Sequence, residues 1–186
     1  VDTTSEEVLV KRSARGDERA FAVLVNRYKG MLYSMAYRLL RDSGRAEDAA
    51  QDSFIKAYAA LPGFKGESKF SSWLYRICYN TCISELRRRK PEVELDEAMA
   101  ASGPDGDARS RSLQATIQEE VARLPDEYRA ALTLYHFNGF SYDEIARLQH
   151  KPMGTVKANI HRARAALKSR LLERVGWDTL KEAIWQ

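Results

Sequence analysis

Apolar residues recur along the chain at three- and four-residue intervals, the spacing of amphipathic helices, and no convincing alternation of apolar and polar residues is present. In the first half this spacing predicts a helix over about residues 6–15, one that starts after Asp17, one from Gly30 and one over about residues 45–61. A longer helix is expected after a polar loop, with Ser71 or Ser72 as its cap, and it ends before Pro91.

The helical spacing stops at Pro91 and resumes near Leu113, and the intervening residues are mostly Ala, Gly, Pro, Ser and acidic types. Such a composition is typical of a flexible linker. Beyond it, helices are predicted up to Arg123, from Pro125 to Phe137, in two short elements and over about residues 155–172. We therefore predict an all-α chain with two small helical domains (1–90 and 112–172), a flexible acidic linker (91–111) and a C-terminal tail of unknown role (173–186).

The distribution of charge along the chain indicates which class of molecule the protein binds. The formal net charge is only +4, but basic residues cluster at 87–90 and along 157–170, on either side of the acidic linker. Two basic clusters favour a polyanionic partner. No apolar run approaches the roughly 18 residues of a membrane span. The acidic N-terminus is unlike a secretory signal, so we expect a cytoplasmic protein without membrane insertion.

The sequence carries no pattern typical of catalysis, such as a Gly-rich phosphate loop, a metal-spaced His/Cys set or a convincing nucleophile–base pair. We therefore expect no enzymatic activity, no cofactor and no metal. Cys78 and Cys82 lie four residues apart in an apolar helical pattern, where a disulfide is geometrically awkward. Both are predicted to be buried packing residues.

Residues 141–172 have the pattern of a helix-turn-helix. Ser141 can cap a short helix with Glu144 at the reciprocal position, and Thr155 can cap the next helix. A helical hairpin with a solvated basic face would share part of this pattern, but the two caps, the small Ala146 and the short turn together favour DNA binding. The polar residues expected to contact bases or phosphates are Thr155, Lys157, Asn159, His161, Arg162 and Arg164.

Three segments here, 124–129, 140–146 and 154–164, resemble in order the promoter-binding domain of extracytoplasmic-function (ECF) RNA polymerase sigma factors. The resemblance implies binding to the minus-thirty-five promoter element and contact with the polymerase flap. Two positions depart from the family: Gln149-His150 replaces a frequent Leu-Gly, and Asn159 replaces a frequent Arg. A positive φ at His150 would cost about 1 kcal/mol relative to Gly. Because Asn pairs well with adenine, we expect a non-standard upstream element.

The segment 46–58 has an acidic, amide-bearing face beside an apolar one, which is typical of any amphipathic surface helix. It also resembles the sigma segment that binds the clamp coiled coil of the largest polymerase subunit. This resemblance implies that Asp48, Gln51 and Asp52 bind the polymerase core, while Phe54 and Tyr58 mainly pack in the protein interior.

The block from Phe70 to Asn80, with the basic run after it, combines aromatic, polar and charged residues in a way that suits a single DNA strand. A lone aromatic at such a position is more commonly a core residue. The block resembles the sigma segment that opens and reads the minus-ten element, and the loop 61–70 the pocket for a flipped-out base, although Ser84 replaces the usual Asp. The implied minus-ten contacts are Lys65, Ser68, Lys69, Tyr75, Arg76, Tyr79, Asn80, Arg87 and Arg88.

The resemblance thus implies an alternative sigma factor that binds core polymerase and directs promoter-specific initiation in a stress or envelope response. Its partners would be the polymerase clamp and flap, duplex and melted promoter DNA, and an anti-sigma factor that buries both DNA-binding surfaces. One alternative is a helix-turn-helix regulator that acts without replacing sigma and binds paired half-sites of duplex DNA as a dimer. A second alternative is a sigma-like adaptor without promoter activity.

Overall fold

The computed structural model describes residues 5–88 and 108–184, and the chain divides into two compact units, Val1–Glu92 and Val93–Gln186. We call their described parts the N-terminal and the C-terminal module. Both modules are helical and neither contains a strand within the described ranges, which confirms the all-α prediction. Most of the predicted linker, with its carboxylates, lies outside the described residues.

The N-terminal module contains four helices whose apolar faces share one core. They are α1 (Glu6–Ser13), α2 (Glu18–Leu40), α3 (Ser43–Ala60) and α4 (Phe70–Arg88). The larger side chains that are fully buried there are Leu9, Leu24, Leu32, Met35, Leu39, Leu61 and Leu74. Both cysteines of α4 are buried and free, as the sequence predicted.

The predicted helix break at Gly30 is wrong, because α2 runs through this residue as one helix. A single interior Gly costs only about 1 kcal/mol relative to Ala, which packing of the long apolar face readily offsets. The real break comes at Arg41, which has a φ of 59°, and Asp42 then caps α3 by accepting a hydrogen bond from the Arg45 N–H at 2.9 Å. Asp17 caps α2 through the Ala20 N–H at 3.0 Å, as predicted.

A 3-10 turn at Leu61–Gly63 and an irregular stretch connect α3 to α4. Phe64 holds this loop against α4, since its ring centroid lies 5.0 Å from that of Trp73 and 6.1 Å from that of Phe70. Neither predicted serine caps α4. The helix begins at Phe70, and the Trp73 N–H donates to the Lys69 carbonyl at 3.1 Å, so that Ser71 and Ser72 lie within the first turn.

The C-terminal module contains α5 (Ala108–Ala122), α6 (Asp126–Leu132), α7 (Tyr142–Gln149) and α8 (Met153–Ile184). A π-helical turn at Thr133–Phe137 continues α6, and α5 begins earlier than the sequence predicted. One cluster of its core contains Val121, Leu124, Leu132 and Ala163, with Ile117, Tyr128, Ala166 and Leu167 packed against it. Helix α8 is interrupted at Gly176, which has a φ of 76°, so the predicted tail begins close to a real break in the helix.

Arg129 connects α5 to α6 from inside the module. Its guanidinium is only 2% exposed and donates from Nη1 to the carbonyls of Ala122 and Leu124, at 3.2 and 2.8 Å. Its Nη2 pairs with Asp126 at 2.7 Å. The last carbonyls of a helix lack partners within the helix, and this arginine donates to two carbonyls at and just beyond the end of α5.

Candidate nucleic-acid interface

The first helix of the predicted helix-turn-helix is capped at both ends. Ser141 Oγ accepts from the Glu144 N–H at 3.3 Å, and Glu144 Oε2 accepts from the Ser141 N–H at 2.9 Å. This is the predicted capping box. At the other end, the Lys151 N–H donates to the Ala146 carbonyl at 3.0 Å.

His150 lies in the turn with a φ of 52° and a ψ of 42°, which is the left-handed conformation. It therefore adopts the positive φ considered above for this position, where the family frequently has Gly. Its imidazole is exposed, so the conformation costs backbone strain of about 1 kcal/mol without crowding the core. The prediction that Thr155 caps the second helix is wrong. Helix α8 begins at Met153, and the N–H groups of Thr155 and Val156 donate to the Pro152 carbonyl at 2.9 and 3.2 Å.

Five of the six residues predicted to contact duplex DNA lie exposed on α8: Thr155, Lys157, His161, Arg162 and Arg164. Asn159 is the exception, since only 2% of it is exposed. It follows Val156 by three residues and precedes Ala163 by four, and both are buried, so helical geometry turns it toward the module interior. Its Nδ2 is buried without a hydrogen-bond partner among the described residues. The prediction that Asn159 reads a base edge is therefore wrong, and the expected non-standard upstream element loses its support.

Sequence reasoning missed the aromatic residues beside these cations. Lys157 Nζ lies 5.8 Å from the ring centroid of Tyr142, and the guanidinium carbon of Arg164 lies 5.3 Å from that of Tyr135. The two tyrosines come from different elements, the π-helical turn and α7. Their contact depends on the path of residues 138–141 between the two elements, which helical periodicity does not predict.

The three residues predicted to bind the polymerase core, Asp48, Gln51 and Asp52, are all exposed on α3. Their spacing of three and four residues places them on one face of the helix. Sequence reasoning missed Ile55, which continues this face and is 68% exposed. Ile55 thus adds an exposed apolar side chain to the acidic face of α3.

Two other residues of the same segment pack inward, as predicted. Phe54 is buried, and the ring centroid of Phe21 on α2 lies 6.4 Å from that of Phe54. Tyr58 is half-buried, with a centroid distance of 4.7 Å to the same ring. These contacts hold α3 against α2, so the acidic face is presented by a packed helix.

The residues predicted to contact the minus-ten element differ in their exposure to solvent. Lys65, Lys69, Asn80, Arg87 and Arg88 are exposed, while Ser68 and Arg76 are half-buried. Tyr75 and Tyr79 are only 9% and 6% exposed. Stacking on a base requires an exposed ring face, so the prediction that these two tyrosines form a stacking surface is wrong. Their four-residue spacing places both on the side of α4 that packs into the core.

A shallow groove of about 290 Å³ between α3 and α4 contains Asn80. Its lining consists of Lys56, Ala60, Ile77, Asn80, Thr81 and Ser84. Lys56 Nζ donates to Thr81 Oγ1 at 3.1 Å, and Ser84 Oγ donates to the Asn80 carbonyl at 2.8 Å. The groove thus brings a cation and an amide together, whereas the loop residues Lys65, Ser68 and Lys69 do not line it.

No cluster of His, Cys, Asp and Glu within the described residues has the composition of a metal site. The hydrogen bond to Cys78 and burial both raise the pKa of the Cys82 thiol.

None of the helices in residues 5–88 and 108–184 has the length and apolar composition of a membrane-spanning segment.

Comparison with known proteins assigns both modules. Residues 24–92 match the family model for Sigma-70 region 2, and residues 114–167 match that for Sigma-70, region 4. The chain is 39% identical to the ECF RNA polymerase sigma factor SigW of Bacillus subtilis, over 87% of this chain and 94% of the relative. It is 37% identical to the ECF RNA polymerase sigma-E factor of Escherichia coli (strain K12), over 90% and 94% of the two chains.

Two solved structures are similar to most of the chain. One is the sigma factor RpoE of Bartonella quintana in complex with the anti-sigma factor NepR, with a TM-score of 0.67 at 28% identity over 83% of this chain and 97% of that one. The other is CnrH in complex with the cytosolic domain of CnrY, with a TM-score of 0.64 at 26% identity over 90% and 97%.

The two matched regions and the helix-turn-helix define a two-module sigma factor, the class of subunit that directs RNA polymerase to promoters. Within that class, the chain belongs to the ECF RNA polymerase sigma factors. It is an alternative sigma factor that acts in promoter-specific transcription initiation.

Proposed function

We propose that the two modules of this sigma factor divide promoter binding between them. The N-terminal module, within residues 1–90, binds core polymerase and the minus-ten element, and the C-terminal module, within 112–172, binds the minus-thirty-five duplex. On this proposal the residues 91–111 are a linker, and the chain is an initiation factor and not an enzyme. It acts in the cytoplasm, where polymerase and promoter DNA are found.

The observation that carries the proposal is the division of α8 into an apolar face and a cationic face. Val156, Ile160 and Ala163 hold the helix to its module, which leaves the opposite side exposed. Residues in the first turns of a recognition helix reach base edges, so Thr155 and Lys157 have that role. Arg162 and Arg164 lie further along the helix and contact phosphates, with His161 between the two groups.

The core-binding surface consists of Asp48, Gln51, Asp52 and Ile55 on α3. Its carboxylates would pair with basic residues of the polymerase clamp, while Ile55 supplies the apolar contact at which binding energy concentrates. A single exposed ion pair contributes little, about 0–1 kcal/mol, so the apolar residue carries more of the affinity than the charges around it.

The minus-ten contacts come from the exposed and half-buried members of the predicted set. Asn80 in its groove supplies hydrogen bonds to a base, and Arg76, Arg87 and Arg88 hold the backbone of the melted strand. Lys65, Ser68 and Lys69 are positioned on the loop before α4 and bind beside a flipped-out base. Tyr75 and Tyr79 are excluded from this set because they are buried.

We further propose that an anti-sigma factor covers these surfaces, in a stress or envelope response. This part of the proposal is supported by the similarity to RpoE of Bartonella quintana, which was solved with an anti-sigma factor. An acidic surface with an exposed Ile55 and a basic helix α8 would both be masked in such a complex.

The test is in vitro transcription by bacterial core polymerase on a pooled promoter library, with and without this protein. We expect new start sites that depend on the protein, and we expect Ile55→Asp to abolish them while Met31→Asp, at an exposed apolar position of α2, does not. Absence of initiation together with tight binding to duplex DNA in the absence of polymerase would support the regulator alternative. Absence of both activities with a core polymerase from a close relative would support the adaptor alternative.

A further inference from the structure

Two tyrosines stack on each other between Lys157 and Arg164. The ring centroids of Tyr135 and Tyr142 are 4.8 Å apart, and their planes differ by 10°. Lys157 Nζ lies over the Tyr142 ring and the Arg164 guanidinium over the Tyr135 ring, at 5.8 and 5.3 Å from the centroids. We call this series of four side chains the tyrosine ladder.

His136 extends the ladder at its Arg164 end. Arg164 Nε donates to His136 Nε2 at 2.9 Å, and the imidazole meets the Tyr135 ring edge-on, with 5.0 Å between centroids. Partial burial and the charge of Arg164 lower the pKa of His136, so its ring is neutral at neutral pH and can accept this bond. Because the bond uses Nε, the two terminal nitrogens of the guanidinium remain for an anion.

Lys157 and Arg164, the two ends of the ladder, lie on the same face of α8. Lys157 and Arg164 are seven residues apart, which returns them to the same face of the helix, about 10.5 Å apart along its axis. His161 lies on this face between them, and all three side chains come from the set predicted to contact duplex DNA. The two cations therefore face one partner at well-separated points.

We propose that Tyr135, Tyr142 and His136 are positioning residues of the DNA interface, which hold Lys157 ready to meet base edges and Arg164 ready to meet the phosphate backbone of the promoter. This inference rests on the proposed function of α8. Long cationic side chains lose rotamer freedom when they bind, so a side chain held in place beforehand loses less and binds more tightly. Aromatic rings suit this purpose, since a cation–π contact restrains the cation without neutralising its charge.

The test is a double-mutant cycle in holoenzyme reconstituted from the full-length protein and core polymerase, on a promoter recovered from the library transcription. Equilibrium binding is measured over a range of salt concentrations for Tyr135→Leu, Arg164→Gln and the double variant. We expect Tyr135→Leu alone to weaken binding by about two- to fivefold, the range of an exposed cation–π contact. In the Arg164→Gln background, the same substitution is expected to have no further effect, because Tyr135 acts through Arg164.

Matched variants separate positioning from folding. Tyr135→Phe keeps the ring face and is expected to retain wild-type affinity, and His136→Gln, which can still accept a hydrogen bond, is expected to bind more tightly than His136→Leu. His136 is exposed, so its substitution should not disturb folding. If Tyr135→Leu does not fold, the comparison of His136→Gln with His136→Leu tests the positioning role instead. Lys157→Gln with Tyr142→Leu repeats the cycle at the other end of the ladder.

The outcomes distinguish the ladder from the function on which it rests. The positioning role would be refuted if Tyr135→Leu weakened DNA binding equally in the wild-type and Arg164→Gln backgrounds. It would also be refuted if Tyr135→Leu and His136→Leu both bound DNA with wild-type affinity. Either result leaves the proposed DNA-binding role of α8 in place. Wild-type affinity and an unchanged salt dependence for both Arg164→Gln and Lys157→Gln would instead refute the proposed DNA-binding role of α8.

Discussion

The two modules use their tyrosines in opposite ways. In the N-terminal module, Tyr75 and Tyr79 belong to the buried side of α4. In the C-terminal module, Tyr135 and Tyr142 are half-buried and contact the cations of α8 directly. Aromatic and basic residues near each other in sequence therefore do not by themselves define a DNA surface. The side of the helix that neighbouring elements cover decides which role a tyrosine takes.

The largest effect is expected from Tyr79→Ala, which removes a buried aromatic ring. Loss of such a ring typically costs about 3–5 kcal/mol, so the free energy of unfolding should fall by about 3 kcal/mol or more. Tyr142→Ala, the half-buried counterpart, should cost less, about 1–2 kcal/mol, because it loses mainly the stacking contact with Tyr135. Urea denaturation followed by circular dichroism measures both values. Comparable stability of the two variants would mean that Tyr79 is not a core residue.

Next in size is Arg129→Met, which removes the buried guanidinium between α5 and α6. It leaves the carbonyls of Ala122 and Leu124 without their donor, and we expect a loss of about 2–3 kcal/mol. Arg147→Met is the matched control, since Arg147 is exposed on α7 of the same module and a surface substitution typically changes stability by less than about 0.5 kcal/mol. Thermal unfolding of the two variants compares them, and an equal decrease in Tm would contradict the role of Arg129.

A smaller effect of opposite sign is expected from His150→Gly. Gly adopts the left-handed conformation without steric cost, so the variant should be about 1 kcal/mol more stable. Arg41, with a φ of 59°, is the equivalent position of the N-terminal module. Because Arg41 takes part in other interactions, Arg41→Gly should gain less than His150→Gly. Denaturant midpoints of both variants test this, and a destabilised His150→Gly would show that the imidazole makes a contact of its own.

The smallest expected effect is on the salt dependence of DNA binding. Arg162→Gln should reduce the slope of log K against log salt by about 0.9, the contribution of one phosphate contact, and leave the base preference unchanged. Arg19→Gln, an exposed substitution in the N-terminal module, should leave the slope unchanged. Holoenzyme binding to promoter variants at several salt concentrations measures slope and preference together. An altered base preference would assign Arg162 to base reading.

The features best predicted from the sequence were those set by neighbouring residues. The capping box of Ser141 and Glu144, the cap at Asp17 and the buried cysteines follow from local spacing and were confirmed. The helix break at Gly30 was not, because a propensity cost of about 1 kcal/mol is small beside the apolar face that α2 buries. Local propensity therefore failed where tertiary packing opposed it.

The candidate sites show the same limit. Asp48, Gln51 and Asp52 were placed correctly on an exposed face, since their periodicity alone separates them from the buried residues of α3. Asn159 and Tyr79 were placed wrongly because each lies at the edge of its apolar stripe. The periodicity of a helix defines the centre of its buried face, but the width of that face depends on what packs against it.

The sequence by itself determined the helical class, the two modules and the family, because periodicity, caps and ordered motifs are encoded by residues close together in the chain. The tertiary structure decided which tyrosines are buried, that Asn159 faces inward, and that Tyr135 and Tyr142 stack between two cations of α8. These contacts join residues from different elements, and their distances follow from how the helices pack and how the turns between them are built.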